Sequence, residues 1–295
     1  MNNKINIMVL RHSAFYSPLL YTIKGGFLKA EGLESNYQLA TPEKTIPASL
    51  HNGSVHLAQF AVAGSFPQLE RGEKPEIVHF AQINQKDGFF IAGKPTKTPF
   101  SWEQLIGKKI LVDHLFQPLA MFNYALHTLG IDRKQINSID AGDVLAMEEA
   151  FRAGKADYIH QQGPAPQQLE YEGKATVLAS VGDVIGEVAF SSLCATRTWL
   201  KTEHAQAFMR AYQKACCAIV ETPAAEIAAL EADFFPNIPL SVLTETIKTY
   251  QALGCWSANP CISETSYNTL QDVFLYNQLI SQRHDYQKAI VQPFN

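Results

Sequence analysis

Residues 5–40, INIMVLRHSAFYSPLLYTIKGGFLKAEGLESNYQLA, decide the fold class. The opening run, INIMVL (5–10), has the length and the branched apolar side chains of a strand covered on both faces. Pro18 to Lys24 reads as a helix ended by Gly25 and Gly26, which accept the left-handed backbone found just past a helix C-terminus. After a further short turn, FLKAEG (27–32), the chain runs into a second strand-like stretch, ESNYQLA (34–40). A strand, a helix and another strand in succession make a βαβ unit.

The same alternation continues outward. Strand-like runs recur at 55–60, 76–83, 88–93, 109–113, 138–141, 156–160, 175–180 and 188–196, so largely parallel sheets are expected. Thr41 followed by Pro42 has the form of a helix start, and Pro47 limits the length of that helix. Asp143–Ala153 and Thr202–Glu221 are stronger helices. The second places Phe208, Ala211, Tyr212, Ala215 and Ile219 on one face. Beyond Arg197 the alternation stops and helices follow at 223–232, 239–252 and 264–282. With no Gly-, Ser- or Pro-rich linker before it, this tail is expected to pack on the first lobe rather than form a third domain.

A chain of 295 residues, 46% of them apolar, can bury two cores of ordinary domain size. Its 24 Lys and Arg and 28 Asp and Glu are scattered without runs, which argues against nucleic acid or an anionic membrane surface as a partner. The longest apolar stretch, AFMRAYQKACCAIV (207–220), is interrupted by charge well short of the roughly 20 residues of a membrane span. At the N-terminus, MNNKINIMVLRH is too short in apolar residues for a secretory leader. The expectation is a periplasmic protein if a leader has been trimmed from this sequence, and a cytoplasmic one if the chain is complete as given. The five cysteines, Cys194, Cys216, Cys217, Cys255 and Cys261, lack paired CxxC spacing, so neither a metal site nor a disulfide framework is expected. Cys216 and Cys217 read as packing residues, and Cys255 and Cys261 stay open as a pair that could be bridged in an oxidising compartment. No Walker, GxGxxG or HExxH motif is present, and no cofactor is expected.

Several stretches together resemble the substrate-binding proteins of ABC importers, in the group that takes sulfonate, nitrate, riboflavin and thiamine-pyrimidine ligands, and the related fungal pyrimidine synthases. They are SPLLYTIKGGFLKAEGLE (17–34), SLHNGSVHLAQF (49–60), FPQLERGEKPEIVHFAQI (66–83), SWEQLIGKKILVD (101–113), MEEAFRAGKADYIH (147–160) and WLKTEHAQAFMRAYQKA (199–215). One departure is His56, which stands where that group has an Asp. The resemblance implies an α/β, two-lobed periplasmic-binding-protein-like (type II) fold with two Rossmann-like lobes and a helical C-terminal tail on lobe 1. Residues 1–93 and 188–295 would form lobe 1 and 94–187 lobe 2. Closure would flex at Gly93–Pro95 and Gly186–Val188.

In open α/β sheets a ligand lies beyond the carboxyl ends of the strands. That rule selects Arg11, His12, Ser13, Ala14, Phe15 and Tyr16 after the first strand. It adds Phe60, Ala61, Ala63 and Gly64 after the third, and Asn84 and Gln85 after the fourth. In the second lobe it selects Asp113, His114, Phe116 and Gln117, then Gln161, Gln162 and Gly163, with Glu187, Phe190 and Ser191 at the return crossing. Aromatic rings mixed with amides suit a planar, polar organic ligand such as a pyrimidine better than a small anion, because only Arg11 among them carries a fixed positive charge. Plainer roles stand beside these: a helix cap for His12 or Asp113, core packing for Phe15 and Tyr16, and a strand-ending turn around Gln161 and Gln162.

Three functions fit these features. The first is a receptor that binds a small molecule without covalent chemistry, with an ABC-importer permease as its implied partner. The second is a cofactor-independent enzyme on the same fold. A pyrimidine synthase is disfavoured because the resemblance would require a His in AVAGSF (61–66) and a cysteine-rich run in EVAFSSLC (187–194). A dehydratase could draw its acid and base from Glu187, His12 or His114. The third is a cytosolic metabolite sensor whose closure is passed to another protein.

Overall fold

The computed structural model describes residues 3–95 and 98–292. Ten strands form two five-stranded sheets. The first contains β1 (Lys4–Val9), β2 (Glu34–Leu39), β3 (Leu57–Ala61), β4 (Ile77–Asn84) and β10 (Ser191–Thr196), in the order β2-β1-β3-β10-β4. The second contains β5 (Phe89–Gly93), β6 (Lys109–Val112), β7 (Asn137–Ile139), β8 (Tyr158–Gln162) and β9 (Thr176–Ser180), in the order β7-β6-β8-β5-β9. Each sheet with its helices is a lobe.

The two sheets share one design. In the first, β1 runs parallel to β2 and β3; in the second, β6 runs parallel to β7 and β8. Each sheet then receives one strand arriving from the other lobe, and that strand pairs antiparallel on both sides: β10 with β3 and β4, β5 with β8 and β9. The sheets are therefore mixed rather than largely parallel. A strand that arrives directly across the hinge has no helical crossover to reverse its direction. Because β5 belongs to the second sheet, the outward crossing is 85–88 and not the Gly93–Pro95 expected from the sequence. Gly186–Val188 lies on the return crossing, and the two crossings are tied by Val188 N–H donating to Gln85 O at 2.9 Å.

Helices cover both faces of each sheet. They begin with α1 (Ser17–Lys24), α2 (Phe27–Ala30), α3 (Ile46–His51) and α4 (Phe66–Glu70) in lobe 1. Lobe 2 carries α5 (Phe116–Thr128), α6 (Val144–Arg152), α7 (Ala165–Tyr171) and α8 (Val181–Ile185). The tail supplies α9 (Glu203–Ile219), α10 (Ala224–Glu231), α11 (Leu240–Leu253), α12 (Glu264–Tyr276) and α13 (Tyr286–Ala289). The helix expected at Thr41–Pro42 starts instead at Ile46, with Pro47 in its first turn, because Thr41 and Lys44 close a turn through reciprocal backbone bonds of 3.1 Å. The helix expected over 264–282 stops at Tyr276. Among the described residues no helix is long and apolar enough to cross a membrane.

The tail packs on lobe 1 through α9 and α10 against α1, and it also reaches lobe 2. Phe274 of α12 meets Phe116 at 5.0 Å between ring centres, and Asn123 donates to Asn277 at 3.0 Å. The start of α9 shows how the local sequence sets the boundary: Thr202 Oγ1 accepts the N–H of Ala205 at 3.2 Å. Thr202→Ala is expected to lower stability by about 1 kcal/mol, read as a reduced urea midpoint with unchanged slope.

His56 completes the β1–β3 edge: its Nδ1 accepts the N–H of Asn6 at 2.9 Å. The ring does by side-chain acceptance what a carboxylate could also do, and burial holds its pKa below the ordinary value. All five cysteines are free. Cys194, Cys216 and Cys255 are buried, and burial pushes the Cys194 and Cys216 thiols up to about 12.

Candidate ligand-binding cleft

A cavity of about 160 Å³ lies between the lobes at the carboxyl ends of β1, β3, β6 and β8. Leu10, Arg11 and Tyr16 reach it from β1 and the turn after it, Gln59, Phe60, Ala61 and Gly64 from β3 and the turn after it. From across the cleft come Phe89, Leu115, Phe116, Gln117, Pro118 and Gln162, and the return crossing adds Phe190 and Ser191.

The polar groups are placed by their bonds. Gln59 Oε1 accepts from Leu10 N–H at 3.1 Å and its Nε2 donates to Ser191 Oγ at 2.8 Å, so the side chain is spent on holding two walls together. Gln117 Nε2 donates to Phe190 O at 2.9 Å, which fixes the amide orientation and leaves Oε1 without a partner among the described residues. Gln162 Oε1 is likewise unpaired. Burial pushes the Tyr16 phenol up, while Arg11, Ser191 and Gln162 pull it part of the way back. Buried carbonyl oxygens left unpaired cost free energy that a bound donor recovers.

Two contacts span the cleft. Arg11 Nη1 meets Asp113 Oδ2 at 2.6 Å across the lobes, both side chains largely buried, and Asp113 Oδ1 also caps Leu115 N–H. Ser13 Oγ donates to Gly163 O at 2.7 Å, while Gly163 N–H donates to the Tyr250 hydroxyl at 2.6 Å.

Of the residues selected from the sequence, Arg11, Tyr16, Phe60, Ala61, Gly64, Phe116, Gln117, Gln162, Phe190 and Ser191 line this cavity. Others stand behind it. Phe15 is fully buried between Tyr16, Phe190 and Tyr250, and Asn84 and Trp256 both donate to its carbonyl. Ser13, Gly163 and Asp113 hold the lobes together, and Ala14 and Ala63 are core. Gln85 donates to Gly254 O and Gln161 to Val144 O, tying the crossing and β8 to their neighbours.

His12 turns away altogether. Its Nε2–H donates to Phe234 O and its Nδ1 accepts from Tyr37 O–H, and burial lowers its pKa. His114 donates from Nδ1 to Val112 O, and Glu187 is exposed. None of the three groups that could have served a dehydratase as acid or base lines the cavity. Leu10, Gln59, Phe89, Leu115 and Pro118 were not selected from the sequence. Gln59 and Phe89 lie inside strands rather than in the loops after them, and an alternating-face reading of β3 is the one signal that could have found Gln59. Among the described residues no group of three or more His, Cys, Asp or Glu is gathered as a metal ion requires.

Residues 14–226 match the family described as NMT1/THI5 like. The chain belongs to that family. The match agrees with the resemblance carried by 17–34 and the later segments. A curated relative of this NMT1/THI5-like chain is "Putative binding protein YtlA" of Bacillus subtilis (strain 168), 28% identical over 296 residues, covering 94% of this chain and 87% of the relative. Among solved structures, the ligand-binding component of an ABC-type import system from Staphylococcus aureus, solved with zinc bound, superposes with a TM-score of 0.77 at 16% identity, covering 98% of this chain and 97% of that one. The alkanesulfonate-binding protein SsuA from Xanthomonas axonopodis pv. citri, bound to MOPS, gives 0.74 at 17% identity, covering 98% of both chains. At these identities the structures establish the two-lobed periplasmic-binding-protein fold.

Proposed function

We propose that this chain is the solute-binding receptor of an ABC importer, and that its cleft takes a small planar molecule offering N–H donors, an aminopyrimidine being the simplest kind. The observation that carries the ligand class is Gln117, a residue of the cavity lining: its amide nitrogen donates to Phe190 O, and its Oε1, an acceptor, is buried without a partner among the described residues. Gln162 Oε1 adds a second one. Nitrate and sulfonate offer acceptors alone and would meet carbonyl oxygens there. Arg11, the cation at the wall, is already neutralised by Asp113. Tyr16, Phe60, Phe89, Phe116 and Phe190 supply the apolar walls that a flat ring stacks on. The volume is below the roughly 300–1,000 Å³ of drug-sized sites and suits a single substituted ring.

Membership of the NMT1/THI5-like family and the two-lobed fold support the receptor role, as do the names of the relatives. Capture and release work by rotation of the lobes about 85–88 and 186–190, and the permease of the importer is the partner. A receptor of this kind works on the outer side of the membrane that holds its importer.

Titration calorimetry at neutral pH with 4-amino-5-hydroxymethyl-2-methylpyrimidine, methanesulfonate and nitrate tests this. The pyrimidine is expected to bind and return unaltered, and Gln117→Leu to weaken it about tenfold, the worth of one hydrogen bond. Tighter binding of methanesulfonate or nitrate would overturn the ligand class, and conversion of the pyrimidine to product would overturn the receptor reading.

A further inference from the structure

A second hollow adjoins the cleft. It is an open depression of about 560 Å³ formed by the turn after β2 and the start of α3, with Ala40, Pro42, Ile46 and Pro47 in its walls. It shares Leu10 and Phe60 with the cleft cavity, so these two side chains are the partition between the spaces. No charged side chain lines it among the described residues.

Both sides of the partition are set by packing. Phe60 lies against Gly64, where an added Cβ would stand 2.2 Å from the ring, so this glycine makes the room the ring occupies. Leu10 is 43% exposed although it directly follows a buried strand, an apolar side chain left uncovered at the mouth of a cleft. The outer wall is preformed: Thr41 and Lys44 close their turn on each other, and Lys44 Nζ is drawn off to Gln38 Oε1 at 2.7 Å.

We propose that the ligand carries an apolar chain or ring that leaves the cleft between Leu10 and Phe60 and lies in this hollow. The ligand class is then a small polar ring bearing a hydrophobic substituent. This rests on the reading of the cleft as a ring-binding site. The cleft alone holds about one ring, and with the hollow the site reaches the size ordinary for small-molecule binding. The two shared side chains place the hollow directly beside the cleft, and that adjacency is what selects this occupant over a separate partner.

The test uses 4-aminopyrimidines with hydrogen, methyl, propyl or pentyl at C5, titrated into wild type and Thr45→Trp. Thr45 lines the hollow, is exposed, and makes no capping bond to α3, so its replacement removes no cap from that helix while filling the space. In wild type each buried methylene is expected to tighten binding by up to about fourfold. The variant should keep the affinity of the unsubstituted compound and lose the gain from chain length. Equal gains in both proteins, or binding independent of chain length, overturn the proposal while leaving the cleft reading in place. Failure of the unsubstituted compound to bind overturns the cleft reading and this proposal with it. Self-association of wild type that Thr45→Trp abolishes would assign the hollow to a second copy instead.

Discussion

Replacing Asp87 by Asn is expected to raise stability at pH 8 by roughly 2–4 kcal/mol and to lower it by about 1–3 kcal/mol at pH 4. Asp87 sits on the outward crossing and is fully buried. Its Oδ1 accepts from Phe89 N–H at 2.7 Å and its Oδ2 has no partner among the described residues. Burial, assisted by the negative charge of Asp113, pushes its pKa up to about 8. Below about pH 4 the carboxyl is protonated whether the chain is folded or not, and contributes no pH dependence. Between about 4 and 8 the unfolded chain releases that proton and the folded chain keeps it, so stability falls by about 1.4 kcal/mol per pH unit. Asn cannot ionise, and it retains the acceptor for Phe89 N–H. Its extra unpaired N–H costs about 1–3 kcal/mol of the gain. Urea titrations of both proteins at pH 4, 6 and 8 check this: parallel pH profiles would sink the assignment.

The same titrations should show a wider pattern in the wild type. Burial lowers His79 and His160 to about 3, so both stay neutral when folded while the unfolded chain protonates them below about pH 6.5. Their contribution is lost as pH falls. Glu231, pushed well up by burial, acts in the opposite sense, like Asp87. The two kinds of group oppose each other below about pH 6.5, and above that the histidines no longer contribute while Asp87 still does up to about pH 8, so a decline is expected there.

Tyr250→Phe should open the cleft. The hydroxyl accepts from Gly163 N–H of lobe 2 at 2.6 Å and donates to Gly88 O of the crossing at 3.0 Å, from a helix that belongs to the tail. Phe preserves the packing against Phe15, Phe90 and Trp256 but leaves a buried N–H and a buried carbonyl unpaired, a loss of about 2–4 kcal/mol. Because Tyr250 belongs to the tail on lobe 1 and Gly163 to lobe 2, much of the loss is relieved by lobe separation rather than unfolding. The variant should show a larger radius of gyration by X-ray scattering, and pyrimidine binding weaker by tenfold or more. A wild-type scattering curve with unchanged affinity would show that the lobes are held by Arg11–Asp113 and Ser13–Gly163 alone.

The βαβ pattern, the ten strands and the strong helices were legible because they depend on neighbours a few residues apart. INIMVL could be read as a buried strand and Thr202–Glu221 as a helix without knowing what covers either. Helix α5 (Phe116–Thr128) was harder, since FQPLAMFNYALHT is apolar on several faces and carries a Pro in its first turn. Most of the cavity wall was also legible, because loops after parallel strands gather at one edge whatever their sequence.

Which side chain in such a loop faces the ligand was not legible. His12 and Phe15 lie in the same turn as Arg11 and Tyr16, yet one is taken by Phe234 O and Tyr37 and the other is sealed under Gly88 and Tyr250. Their partners are 25 to 235 residues away, with no local pattern to announce them. The lobe that owns β5 was decided in the same way. FFIAG (89–93) is a buried strand in either sheet, and only its pairing with β8 and β9 moves the crossing to 85–88. Local periodicity determined the elements and their order, whereas long-range pairing of backbone and buried polar groups decided where the hinge runs and which atoms face the cleft.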